Sequence, residues 1–279
     1  MKNVLILGGT GFVGQKLTLY AKQNNWTVTS VARKKSTIAD HSIQIDLAKN
    51  IIKIDKYYDL IIHAAGSSSG QKSALNYVEG NILLNRNIVK FFDPEKFKKM
   101  IFFSGISIYK NTNIDTICEE SVVYNPDVYS QSKIIAETLL QEFFQNIIIF
   151  RLPAILGAGA PTSWPVRILK EYKDKGELKL INSENKYNHC IHLRSLADLI
   201  FSESVLMNKP IKPNMFVIAA KKPISIEASA RVILDEKNPK LIFENNDKKT
   251  PFINSEKAER ILGYKPWTVE KTLKLFMKE

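Results

Sequence analysis

The sequence predicts an α/β fold, a doubly wound parallel sheet with helices on both faces and a smaller C-terminal region built onto it. Three observations carry this. Short β-branched runs alternate with helical patterns over residues 1–150, the signature of parallel strands joined by crossover helices. The first run ends in a glycine-rich turn, Gly8-Gly9-Thr10-Gly11-Phe12-Val13-Gly14, that opens a helical pattern. Further on, Tyr129-Ser130-Gln131-Ser132-Lys133 sets a phenol and an ammonium one helical turn apart.

Taken in order, Asn3–Leu7 and Thr27–Ala32 read as the first two strands, and 42–45, 60–64, 100–104 and 147–151 as four more. Helices over 12–24, 71–92 and 126–144 fit between them, the last opening at Asn125-Pro126-Asp127, a stop followed by an N-cap. After Arg151 the spacing changes. Gly157, Gly159, Pro161 and Pro165 mark irregular chain, and smaller units follow up to a helical tail over 268–277. The expected organisation is a nucleotide-binding core over 1–150 and a substrate-binding region over 151–279, interleaved with the last core elements.

Composition excludes several classes. A chain of 279 residues with 44% hydrophobic content can bury a full core, so disorder is not expected. Cys118 and Cys190 are the only cysteines and form no C-x-x-C pair, which argues against a disulfide framework or zinc ribbon and for a reducing compartment. The apolar run 4–7 is too short for a signal peptide, and no stretch approaches the roughly 20 apolar residues that span a bilayer. A cytoplasmic protein without membrane insertion is expected. The net charge of +12 comes from lysines dispersed in short groups such as Lys96-Phe97-Lys98-Lys99 and Lys248-Lys249. With no continuous basic-aromatic segment, a nucleic-acid partner is not expected, although the excess can steer an anionic substrate.

The glycine turn follows a strand and precedes a helix. Gly8 and Gly9 allow the tight turn, Gly11 lets the backbone approach a pyrophosphate, and Gly14 lets helix pack closely on strand, with Thr10, Phe12 and Val13 completing the loop. The helix N-terminus supplies N–H donors and partial positive charge. Cofactor choice is read at the end of the second strand, where an acid would bind a ribose 2′-hydroxyl. Here stands Ala32-Arg33-Lys34-Lys35. A missing carboxylate with a guanidinium, Arg33, favours a 2′-phosphate and therefore NADP over NAD. Asp46-Leu47 can meet the adenine, and Ala64-Ala65-Gly66 is small enough for backbone to approach the cofactor. For the Tyr129/Lys133 pair, a cation beside a phenol whose free pKa is about 10 makes proton exchange easier near neutrality.

With these residues in view, the chain resembles the extended short-chain dehydrogenase/reductase family, in particular its NAD(P)-dependent nucleotide-sugar epimerase, dehydratase and reductase group. Besides the two main motifs, His63-Ala64-Ala65-Gly66, Asn81, Phe103-Ser104 leading to Ile108-Tyr109, Ala136-Glu137, Arg151-Leu152-Pro153, Ile191-His192 with Leu196-Ala197-Asp198, and Ile261-Leu262-Gly263-Tyr264-Lys265-Pro266 carry the likeness. It implies a Rossmann-like fold, Tyr129 trading a proton with the substrate oxygen, and Lys133 also holding the nicotinamide ribose. Asn81 and Pro153 join the cofactor site, and Ser67, Arg167, Asn188 and His192 are candidates for substrate contact.

One position departs from the pattern. The family usually carries a serine or threonine four residues before Tyr109, and this chain has Gly105, flanked by Ser104 and Ser107. Either serine can supply the missing hydroxyl, with Ser104 slightly ahead. No carboxylate stands at 105–107, which argues against dehydration. His189-Cys190-Ile191-His192 lacks further ligands, so no metal is expected. The expected activity is NADP-dependent reduction of a keto group on a nucleotide-activated sugar, with an epimerase or a non-catalytic NADP-binding regulatory protein as alternatives. A homodimer is compatible with this.

Overall fold

The computed structural model describes residues 2–279 other than 69, 71, 72, 111, 162, 208, 209, 213, 237 and 248. Gln71 and Lys72, at the start of the helix expected over 71–92, and Lys248 of the Lys248-Lys249 pair lie outside the described residues. The chain divides into two compact units, one of Met1–Thr112, Val122–Arg151 and Ala197–Phe216, the other of Asn113–Ser121, Leu152–Leu196 and Val217–Glu279.

The first unit carries a seven-stranded sheet in the order Met215–Val217, Ile147–Leu152, Met100–Gly105, Leu60–His63, Asn3–Leu7, Thr27–Ala32, His41–Gln44. Asn3–Leu7 pairs in parallel with Thr27–Ala32 on one side and Leu60–His63 on the other. Chain order reverses between those neighbours, and such a reversal opens a crevice at the carboxyl ends of the strands. Leu60–His63, Met100–Gly105 and Ile147–Leu152 are buried at every residue, which is why they read as unbroken apolar runs. The edge strand Met215–Val217 was not expected, because three residues carry no readable period.

Helices cover the sheet. Phe12–Gln23 follows the glycine turn. Val128–Phe143 opens at Asp127, whose Oδ1 accepts the Ser130 N–H at 2.9 Å, so the cap foreseen in the sequence sets the phase of the helix bearing Tyr129 and Lys133. The helix expected over 71–92 is instead three segments, Ala74–Tyr77, a π-helical Val78–Leu83, and Leu84–Phe91. Leu5, Ile61, Phe102 and Ile149 from the sheet meet Ile88 and Leu140 from these helices in one core. Each such side chain contributes about 1.5–3 kcal/mol on burial.

The second unit is made of short strand pairs and helices. Cys190–His192 runs parallel to Ala154–Leu156, Leu241–Glu244 to Leu178–Ile181, and Phe252–Ile253 to Thr116–Ile117. Helices Trp164–Lys175, Ile226–Leu234 and Val269–Lys278 enclose a core that includes Leu156, Ile168, Cys190, Ile233 and Leu273. Cys118 and Cys190 are both free thiols. Among the described residues no helix is long and apolar enough to cross a membrane.

Candidate active site

The glycine turn has the shape a pyrophosphate needs. Gly8 takes φ +83° and donates its N–H to Val31 O at 2.8 Å, and Gly11 N–H closes the turn on Gly8 O at 2.9 Å. A Cβ on Gly14 would lie 2.2 Å from Gly8 O, so helix and turn touch only because that side chain is absent. No side chain caps helix Phe12–Gln23 at Gly11, and its first turn holds no acid. Its leading N–H groups and the positive end of its dipole are therefore left for an anion. Thr10, Phe12 and Val13 are half-buried around the turn. Ala64 N–H donates to Leu7 O at 3.0 Å, and a Cβ on Gly8 would come within 2.8 Å of Ala65 N, so 64–66 lies against the same turn. The residues present fit a dinucleotide.

Arg33 is exposed just past strand Thr27–Ala32, and residues 32–36 contain no carboxylate. Asp46 uses Oδ1 to accept the Ala48 N–H at 3.0 Å, and the Leu47 side chain is buried in the core. The adenine contact expected of that pair is thus open only to the Asp46 edge and the backbone.

Tyr129 is 8% exposed, and the Ser107 side chain beside it favours its phenolate. Burial outweighs this and pushes the phenol up to about 12. Tyr77 meets the Tyr129 ring edge-on at 5.4 Å. Ser104 Oγ is buried with no hydrogen-bond partner among the described residues. Of the two serines, Ser107 is the one whose side chain acts on the Tyr129 phenol among the described residues. The strand ends at Gly105, the chain enters the 3-10 turn Ile106–Tyr109, and alternation stops governing where Ser107 lies. Ser130 Oγ donates to Ser107 O at 3.2 Å and ties that turn to the tyrosine's helix.

Lys133 stands on the same helix one turn on. Its Nζ donates to Phe103 O at 2.9 Å and lies 4.8 Å from the Phe102 ring centroid, so the ammonium is engaged by the strand. Burial pulls it down to about 8, with Glu137 opposing. A folded-state pKa below the ordinary 10.5 means that unfolding takes up a proton between those values, so stability rises with pH from about 8 to 10.5. Denaturant unfolding across this range should show a steeper rise for the parent protein than for Lys133→Met.

An ion pair missed in the sequence fixes this assembly. Arg151 Nη2 lies 2.6 Å from Glu137 Oε2, its Nε donates to Glu137 Oε1 at 3.1 Å, and its Nη1 donates to the Tyr109 hydroxyl. Both charged side chains are under 10% exposed. The fork joins strand Ile147–Leu152 to the Tyr129/Lys133 helix and to the turn carrying Ser107. The three residues are separated in sequence, and only the fold brings them together.

In the second unit, Asn188 is buried, with Nδ2 donating to Ala220 O and Ile253 O and Oδ1 accepting Ile253 N–H. His192 is buried against Trp267 at 5.2 Å, its Nδ1 accepting the Arg194 N–H and its Nε2 3.5 Å from Glu279. Both side chains brace the second unit through these contacts. Pro153 follows strand Ile147–Leu152, Arg167 is exposed on helix Trp164–Lys175, and Ser67 Oγ donates to Asn76 O at 2.9 Å.

A parallel sheet with a phosphate-shaped turn and a buried tyrosine-serine pair defines a dinucleotide-dependent class of enzyme fold. The chain belongs to the NAD dependent epimerase/dehydratase family, whose model matches residues 4–217. It is 24% identical to an uncharacterized protein of Methanocaldococcus jannaschii over 99% of this chain and 95% of that one. It is also 24% identical to the dTDP-D-glucose 4,6-dehydratase of Dictyostelium discoideum over 62% of this chain and 47% of that protein. Among solved structures, the UDP-glucuronic acid 4-epimerase of Bacillus cereus in complex with NAD superposes with a TM-score of 0.79, at 18% identity over 99% of this chain and 98% of that one. At that identity the likeness shows the fold alone.

Proposed function

We propose that the protein is an NADP-dependent reductase acting on a keto group of a nucleotide-activated sugar. The observation that carries this is a buried Tyr129 one turn from Lys133 on the same helix, which Ser130 ties to the turn bearing Ser107, in the unit that holds the glycine turn. The reduced nicotinamide, when bound, supplies hydride. Tyr129 gives the proton to the carbonyl oxygen, and Ser107 holds that oxygen and stabilises the phenolate left behind. Lys133, held by Phe103 O, adds positive charge and is the residue to bind the ribose. Asn81 belongs to the cofactor side, and Ser67 and Arg167 are the candidates for substrate contact. The two free thiols suit work in the reducing cytoplasm.

Arg33 carries the choice of NADP, since a guanidinium pairs with a 2′-phosphate through charge-assisted hydrogen bonds. Calorimetry should find NADPH bound more tightly than NADH, with Arg33→Ala narrowing the gap. Equal affinities in the parent protein would move the reading to a nucleotide-sugar epimerase, which keeps and regenerates NAD. That second reading is favoured by the NAD held in the Bacillus cereus epimerase structure.

A further inference from the structure

The widened turn at Val78–Leu83 has a visible cause. The Leu84 N–H donates five residues back to Glu79 O, as a π-helix requires. In an α-helix the Asn81 carbonyl is matched to the backbone N–H of Asn85. Here the Asn85 side chain reaches back to that carbonyl, with Nδ2 donating at 2.6 Å. A side chain inserted into the helical ladder is a recognised cause of local helix distortion. The other end of the same amide, Oδ1, lies 2.9 Å from Nε2 of His63. His63 is wholly buried at the end of strand Leu60–His63, and burial lowers it to about 3, so it is neutral. A neutral imidazole that donates through Nε2 sets the amide one way round, with Oδ1 towards the strand and Nδ2 towards the helix.

The widened turn also aims Asn81. Its Oδ1 accepts the Ser67 N–H at 2.9 Å, and its Nδ2 donates to Ser67 O at 3.2 Å and to Ser132 Oγ at 2.9 Å. Ser132 Oγ donates in turn to Tyr129 O at 2.7 Å. A Cβ on Gly66 would stand 2.7 Å from Asn81 Oδ1 and 3.8 Å from Lys133 Nζ, so the loop after His63 rests against both residues. A continuous set of hydrogen bonds thus runs from the end of the fourth strand, through two asparagines, to the helix of the proton donor.

We infer that Asn85 and His63 are a positioning pair: they hold the π-turn open and so aim Asn81 across Ser67 to Ser132, fixing the loop 64–67 against the Tyr129/Lys133 helix for the nicotinamide end of a dinucleotide. This rests on the reading of the site as a dinucleotide site. The side-chain hydrogen bonds of the pair run to each other and to Asn81, not to the glycine turn, and that separation makes the test selective.

The test measures NADPH and ADP binding by calorimetry, and amide hydrogen exchange over 78–85, in the parent protein, Asn85→Leu and Asn85→Asp. ADP reports the cradle alone. Both variants should keep ADP affinity, weaken NADPH by about tenfold, the size of a lost net hydrogen bond, and exchange faster over 78–85. Unchanged NADPH affinity, or equal loss of NADPH and ADP, would overturn the inference. If Asn85→Leu fails to fold, Asn85→Asp decides, since it keeps the shape and the acceptor for His63 while setting a carboxylate oxygen, in place of the donor, against the Asn81 carbonyl. A parent protein that binds ADP but neither NADPH nor NADH would sink the proposed function instead. The π-turn is then judged by exchange alone, and unchanged protection in both variants would overturn it.

Discussion

Tyr129→Phe is expected to lower turnover by about 10²–10⁴-fold, the usual worth of a positioned general acid, while dinucleotide affinity stays close to that of the parent. The substitution removes one hydroxyl from a residue that is 8% exposed and leaves the ring against Tyr77. A phenol pushed up to about 12 is fully protonated at neutral pH, so in the resting protein it is set to donate. Ser107→Ala should lower kcat by about 10²–10³, as loss of one donor to a developing oxyanion does, and Ser104→Ala should have little effect. Steady-state rates with a substrate found by screening activated keto-sugars check all three. If Gly105→Ser created activity in an otherwise inert protein, the non-catalytic reading would replace this one.

Glu137→Ala is expected to destabilise the fold by about 3–5 kcal/mol, because it strands the Arg151 guanidinium in a site that water does not reach. Combining Glu137→Leu with Arg151→Met should cost less than Glu137→Ala alone, since two charges leave the interior together and apolar volume replaces them. Urea denaturation of the single and double variants decides this. If the double variant were the least stable, the Tyr109 contact would outweigh the ion pair.

What was legible in the sequence is what is local along the chain. The glycine turn, the Asp127 cap and the Tyr129/Lys133 spacing each occupy a few consecutive residues on one element, so residue type and period suffice to read them. The place of Ser107 depends on the strand stopping at Gly105, which alternation does not reveal. Asn188 and His192 meet neighbours far along the chain, Ile253 and Trp267, and that pairing has no local signature. The π-turn has no signature of its own period, and the Asn85 bond to His63 that accompanies it is a tertiary contact.

The central claim is hydride transfer paired with proton donation from Tyr129, and isotope transfer tests it most directly. The protein would be incubated with NADPH deuterated at the transferring nicotinamide carbon and a panel of nucleotide-activated keto-sugars. The expected result is deuterium on the carbon of a newly formed hydroxyl in at least one sugar, with transfer nearly lost in Tyr129→Phe. Dinucleotide binding without label in any sugar, or transfer by Tyr129→Phe at the parental rate, would contradict it.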